Sequence, residues 1–234
     1  MQIIEKNGFS IHTLSKEEFN SEKNFFIEQL NTISISLKIQ PFSEEYLLNF
    51  FDSHSINSFV YIKSENKIVG FIYSTPHRDY DTYDEFETND LTHWGVNYIQ
   101  VHKDFNNKGF GSLLVLACCE DVKQKGASKI DFMPNKQSIS IFHHAITGNN
   151  IGTISLNKSL DWNYLLAGRV LTISFSEQFL KSNKSILFCP YTYLKHEHKK
   201  LDRPFRDYWD YYFNDPAFLE ELLYQDENED DFVN

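Results

Sequence analysis

The chain has 234 residues, with 22 Lys+Arg against 33 Asp+Glu and a net charge of −11, long enough for one enlarged domain with a buried core. Nucleic-acid binding draws on Lys and Arg to neutralise phosphates, so this balance argues against it and favours a cationic partner. Three cysteines exclude a closed disulfide framework, no apolar run approaches the roughly 18 residues of a membrane helix, and the N-terminus lacks a signal architecture, which together point to a soluble cytoplasmic protein with reduced thiols and no membrane partner.

Residues 9–13 read as a short strand. Ser15 and Glu18, three apart, form a capping box that opens a helix through about residue 30. A second helix starts after Ser43, with Tyr46, Leu47, Phe50 and Phe51 on one face. Two β-favouring runs, 59–62 and 68–73, flank a polar stretch and predict a hairpin. Residues 76–94 read as a long polar connection carrying Asp79, Asp81, Asp84, Glu85, Glu87 and Asp90 against Arg78 alone. A strand over 96–102 follows, then a glycine-rich junction, then a helix over 112–125 that Gly126 stops. A strand over 129–133 ends at Pro134, and a helix covers about 138–145. Residues 148–152 read as a loop, and 165–175 and 186–193 as late strands. From Phe205 the chain is aromatic and acidic, helical after Pro216, and 225–234 is an acidic tail of disordered character.

The junction holds Lys108, Gly109, Gly111 and Ser112 between a strand and a helix. A helix N-terminus presents unpaired N–H groups and a partial positive charge. Glycines let the backbone approach an anion with no Cβ in the way, so successive N–H groups can cup a phosphate. Lys108 adds positive charge and Ser112 a hydroxyl. The dinucleotide fingerprint fails, because Leu114 stands where its third glycine belongs, and the P-loop fails, because the lysine precedes the glycines. A tight turn packing the helix closely on the sheet explains the glycines equally well from the loop alone.

The wider stretch narrows this choice. Ile99, Gln100 and Val101, followed by Asn106, Asn107, Lys108, Gly109, Phe110, Gly111 and Ser112, resemble the acyl-CoA-binding signature of the GNAT acyltransferase superfamily. That signature is a strand ending in an aliphatic residue, four spacers, Arg or Gln, two residues, Gly, any residue, then Gly or Ala. Asn106 stands where Arg or Gln is usual. Downstream, Asn135, Ser138, Ile141 and Phe142 resemble the family's Asn-x-x-Ala-x-x-Leu-Tyr stretch, with Phe142 replacing a Tyr that often serves as general acid. The resemblance covers about residues 9–156. It implies an α/β (α+β) fold with a mixed, mostly antiparallel central sheet flanked by helices. The domain is expected over 1–175, an aromatic-rich C-terminal extension over 176–224 and the tail over 225–234.

The same resemblance implies acetyl-CoA, or another acyl-CoA, as co-substrate. Backbone groups of Ile99 and Val101, with Gln100 between them, would pair with the pantetheine arm. The Val101 N–H would polarise the thioester carbonyl. N–H groups over 107–112 would hold the pyrophosphate, and Asn135 would orient the pantetheine or the next helix. No metal is expected, since His196 and His198 lack a predictable third ligand.

Acyl transfer to an amine also needs a proton acceptor. His93 is the first candidate, with Glu87 and Asp90 as looser ones. For the general acid, His143 and His144 point about 100° apart on a helix, so one of them faces the cleft at most; Tyr98 and Tyr73 are alternatives. Cys118 and Cys119 sit in the expected core with no visible base, which argues against a nucleophile.

The leading expectation is an acetyl-CoA-dependent N-acyltransferase acting on a primary amine (polyamine, aminoglycoside, lysine or peptide amine) by direct attack in a ternary complex. The acidic connection would attract a cationic acceptor, and a homodimer is compatible with the chain. The competing expectation is a catalytically degenerate acyl-CoA-binding module, or an interaction protein whose aromatic extension is the working surface.

Overall fold

The computed structural model describes residues 2–6, 8–52, 56–78, 89–106, 108–132, 146, 149–158 and 169–182. All lie within the first of two units into which the chain divides, Met1–Thr192. Asn107, Asn135, Phe142, His143, His144 and Glu87 lie outside the described residues, as do the helix expected over 138–145, the strand over 186–193 and everything beyond Ser182.

The described strands are β1 (Gln2–Lys6), β2 (Phe9–Thr13), β3 (Ser58–Ser64), β4 (Lys67–Arg78), β5 (Asn89–Val101), β6 (Lys129–Phe132), β7 (Gly152–Lys158) and β8 (Arg169–Phe175). They form one sheet in the order β1-β2-β3-β4-β5-β6-β8-β7. Every pairing is antiparallel except β5 with β6. The parallel pair is joined through α4 (Phe110–Gln124), since parallel neighbours need a crossover. The mixed, mostly antiparallel sheet with flanking helices agrees with the expected fold class.

The capping box forms as expected: Ser15 Oγ accepts from the Glu18 N–H, and the Glu18 carboxylate accepts from the Ser15 N–H. The helix it opens is not continuous. It breaks at Glu22 into α1 (Lys16–Ser21) and α2 (Lys23–Ser36), and α2 runs beyond residue 30 because Ile33 and Ser34 are buried on its inner face. Together with α3 (Glu44–Asp52), these helices cover one face of the sheet. Phe19, Phe26, Leu30, Ile33, Leu47 and Phe50 pack there on Phe59, Phe71 and Tyr73. Each fully buried Phe contributes about 1.5–3 kcal/mol, and the Phe59 and Phe71 rings stack at 5.5 Å.

Alternation puts the next residues on the other face. There Leu114 of α4 lies against Gly70, and Cys118 touches the Ser74 hydroxyl at 3.3 Å. Helix α4 is buried nearly all round, from Phe110 through Val122, as a helix without a polar face must be.

Two sequence expectations need correction. The polar connection over 76–94 is shorter, because β4 continues to Arg78 and β5 begins at Asn89. Pro76 is tolerated inside β4 because the register shifts between Pro76 and His77. The loop over 148–152 gives way at Gly152 to β7, an unanticipated strand pairing with β8. A short helix, α5 (Glu177–Lys181), follows β8, capped by the Ser176 hydroxyl accepting from the Phe179 N–H. No helix among the described residues is long and apolar enough to cross a membrane.

Candidate active site

Strands β5 and β6 pair over only three residues, from His93↔Lys129 to Gly95↔Asp131. Beyond Gly95, β5 continues to Val101 while the described part of β6 ends at Phe132, so this edge of β5 has no strand partner among the described residues; we call this open edge the wedge. The backbone of β5 shows which groups face it. The His102 N–H donates to the Val69 carbonyl of β4. Backbone groups alternate in direction along a strand, so Tyr98 and Gln100 also pair with β4. Those of Ile99 and Val101 point the other way, into the wedge. A register shift between Tyr73 and Ser74 leaves Asn97 as an extra residue of β5, a bulge of the kind that turns one strand away from its neighbour.

Gln100 therefore presents neither end to the wedge. Its side chain is buried towards α2, where its Oε1 accepts from the Ser34 hydroxyl at 3.0 Å. Asn106, by contrast, is exposed at the end of a short 3-10 turn, Lys103–Phe105.

The wedge leads to the glycine junction. Gly109 is the N-cap of α4 with φ +86°, a left-handed conformation that glycine adopts without a Cβ penalty. Gly111 has no such backbone requirement, and a Cβ at either glycine would meet nothing within 4 Å. Close packing of helix on sheet therefore does not explain these glycines; the positive φ accounts for Gly109, and the space beside both is open. The first helical bond runs from the Leu113 N–H to the Gly109 carbonyl, so the preceding N–H groups have no intrahelical partner. Ser112 is fully buried, and its Oγ has no hydrogen-bond partner among the described residues. Phe110 is buried and anchors the turn through contacts with Phe9 and Phe105. Lys108 is held at the rim: its Nζ donates to the Asp104 carbonyl at 2.6 Å and lies 5.0 Å over the Phe105 ring.

At the closed end of the wedge, three strands each present one titratable side chain. His77 comes from β4, His93 from β5 and Asp131 from β6. His93 Nε2 lies 2.8 Å from Asp131 Oδ2, and His77 Nε2 lies 3.4 Å from the same oxygen. The imidazole rings are 4.1 Å apart. Burial by itself would raise the Asp131 pKa, but the neighbouring side chains of His77, His93 and Thr172 outweigh it and hold the carboxyl well below the usual carboxylate range. Asp131 is therefore ionised and accepts from the His93 N–H. Gly95 makes room for this group, since a Cβ there would come within 3.3 Å of His77 Nε2.

Sequence reasoning singled out His93 but placed it in a loop, and it missed His77 and Asp131. Asp131 carried a signal: an acid inside a strand between two core residues, Ile130 and Phe132, runs against β-propensity and asks for a reason. His77 was hidden because Pro76 reads as the end of a strand.

Tyr98 lies on the helix-covered face beside β5's wedge-facing backbone. Its ring joins Phe42 and Phe50, and its hydroxyl contacts that of Tyr46 from α3. Tyr73, the other phenol considered, is buried and donates to the Phe50 carbonyl at 2.6 Å; burial raises its pKa strongly. Cys118 and Cys119 are fully buried, and burial pushes the Cys118 thiol up to about 12, which leaves no thiolate for nucleophilic work.

Residues 27–146, just over half of the chain, match the Acetyltransferase (GNAT) family. The chain belongs to that family. As a GNAT protein it is an acyltransferase, and the matched stretch contains the wedge, the glycine junction and all three members of the His77–His93–Asp131 group. No curated protein matches the chain. Among solved structures, it resembles the PaiA N-acetyltransferase of Thermoplasma acidophilum in complex with coenzyme A, at 14% identity over 72% of this chain and 100% of that one, with a TM-score of 0.47. It also resembles Ard1 of Thermoplasma volcanium, at 16% identity, 73% and 100% coverage and a TM-score of 0.48. An N-acetyltransferase of Staphylococcus aureus Mu50 gives 15%, 75% and 100%, and 0.46. At these identities and scores the likenesses say nothing about this GNAT protein's acceptor.

Proposed function

We propose that the protein is a cytoplasmic acetyl-CoA-dependent N-acetyltransferase whose acceptor is a cationic primary amine. The observation that carries this reading is the wedge: two outward-facing backbone positions, Ile99 and Val101, lead to an open glycine cradle at a helix N-terminus. Acetyl-CoA supplies the thioester. The N–H groups of the α4 first turn hold its pyrophosphate. Ile99 and Val101 receive the pantetheine as an added strand would be received. Their N–H groups offer the hydrogen bond that stabilises negative charge developing on the thioester oxygen.

The imidazoles of His77 and His93, held by Asp131, accept the amine's proton. His77 sits beside Gly95, four residues before Ile99, or about 13 Å along a strand. The acceptor itself and a short chain of water fill that span. Tyr98 donates to the departing thiolate. The attack is direct, within a ternary complex. The acidic connection supports a cationic acceptor. The connection leaves and re-enters the sheet at the Arg78↔Asn89 pair, the end at which His77 and His93 stand, and its five carboxylates, with Asp90 at the start of β5, favour approach of positive charge.

The test is single-turnover transfer from acetyl-CoA to a panel of polyamines, aminoglycosides and lysine peptides, beside calorimetry with CoA. Transfer to at least one cationic amine, with neutral amines poorer, is expected. CoA binding without transfer to any acceptor would replace this reading with that of a binding module.

A further inference from the structure

One ligand atom from each of His77, His93 and Asp131 lies within 4.8 Å of the other two. Two of the three separations are 2.8 Å and 3.4 Å. Donors bound about 2.0–2.1 Å from a tetrahedral zinc ion stand about 3.3 Å apart, so the two contacts at Asp131 Oδ2 are near the spacing of neighbouring ligands in such a polyhedron. We propose that this trio is a binding site for a divalent first-row transition ion, with Zn²⁺ as the best fit.

Four features support it. The ligands come from three adjacent strands, so the sheet rather than a loop sets their spacing. Two imidazoles and one carboxylate suit zinc and its neighbours, whereas calcium and magnesium take oxygen ligands. Two buried polar atoms of the trio, His77 Nε2 and Asp131 Oδ1, have no hydrogen-bond partner among the described residues. An ion takes the lone pair of the first and draws the second into its shell, directly or through water. Finally, the His77 and His93 side chains are 35% and 22% exposed, which leaves a path for a water as fourth ligand, the open position that distinguishes such sites from closed structural ones.

The ion would join β4, β5 and β6 at the base of the wedge. The site shares residues with the proton-accepting group proposed above, but it rests on their geometry and holds whether or not they serve acyl transfer.

The experiment uses the full chain, stripped with a chelator and titrated with Co²⁺ followed by absorption, then with Zn²⁺ followed by calorimetry. One ion per chain is expected, with the intense d–d bands of a four- or five-coordinate Co²⁺ site, bleached by Zn²⁺. His77→Ala and Asp131→Asn should each weaken binding by more than the roughly 10–100-fold that loss of an outer-shell partner costs. Circular dichroism checks that each variant folds, and His77→Gln replaces His77→Ala if it does not. Absence of the d–d spectrum in the wild type overturns the proposal. So does one-site binding of unchanged affinity in both variants, which would move the ion to other histidines such as His196 and His198.

Discussion

Asp131 Oδ2 accepts a hydrogen bond from His93 Nε2 at 2.8 Å, joining β5 to β6 where the two strands last run side by side. Because the partners hold the Asp131 pKa below its unfolded value, the contact stabilises the fold above the ordinary carboxylate pKa of about 3.9. That contribution is lost as pH falls through the lower folded value. Asp131→Asn should cost about 1.5–3 kcal/mol at neutral pH, the range for a hydrogen bond to a charged group. The gap between wild type and variant should shrink as the pH is taken below about 4. Urea unfolding at a series of pH values measures it, and a gap independent of pH would show that the carboxylate charge is not what stabilises this corner.

Gly111 can be used to separate ligand binding from folding. Space beside it is open and its φ is ordinary, and a carboxylate in a helix's first turn is favourable to the dipole. Gly111→Glu should therefore leave the melting temperature unchanged or slightly raised, while filling and charging the cradle. We expect CoA affinity to fall more than about a hundredfold, a loss of over 2.7 kcal/mol. Calorimetry that finds wild-type affinity would remove the pyrophosphate from this loop.

Tyr98→Phe keeps the ring that packs on Phe42 and Phe50 and removes only the hydroxyl. If that hydroxyl protonates the thiolate, kcat should fall by about 10²-fold or more with KM for acetyl-CoA little changed. The loss should diminish with acyl donors whose thiol is a better leaving group. Equal loss across donors would reduce the Tyr46–Tyr98 contact to packing.

Zinc should inhibit transfer if both proposals hold, because an ion bound to His77 and His93 takes the lone pairs that accept the proton. Steady-state rates with added Zn²⁺ should fall in step with site occupancy and recover with a chelator. Zinc that binds without slowing turnover would relieve the two histidines of their role in proton transfer and leave the metal site intact.

What could be read from sequence was local. The capping box at Ser15 and Glu18, the strand–glycine–helix junction from Ile99 to Ser112 and the helix through Cys118 all depend on spacings of a few residues. Hydrogen-bonding reach, positive φ and helical periodicity act over that distance. The family resemblance rests on the same short-range spacings. That Ile99 and Val101 turn their backbone groups to the wedge entered only as what the family resemblance implies; local spacing alone does not give it, because the bulge at Asn97 changes the pairing with β4, and a slip of one residue turns every side chain to the opposite face. The irregularity after Pro76 hid His77 for the same reason. His77, His93 and Asp131 are separated by 16 and 38 positions in the chain, and no periodicity connects them. Only the register of three strands brings them to one point, and register is settled by burial of the whole sheet between two layers of helices rather than by any of the three residues.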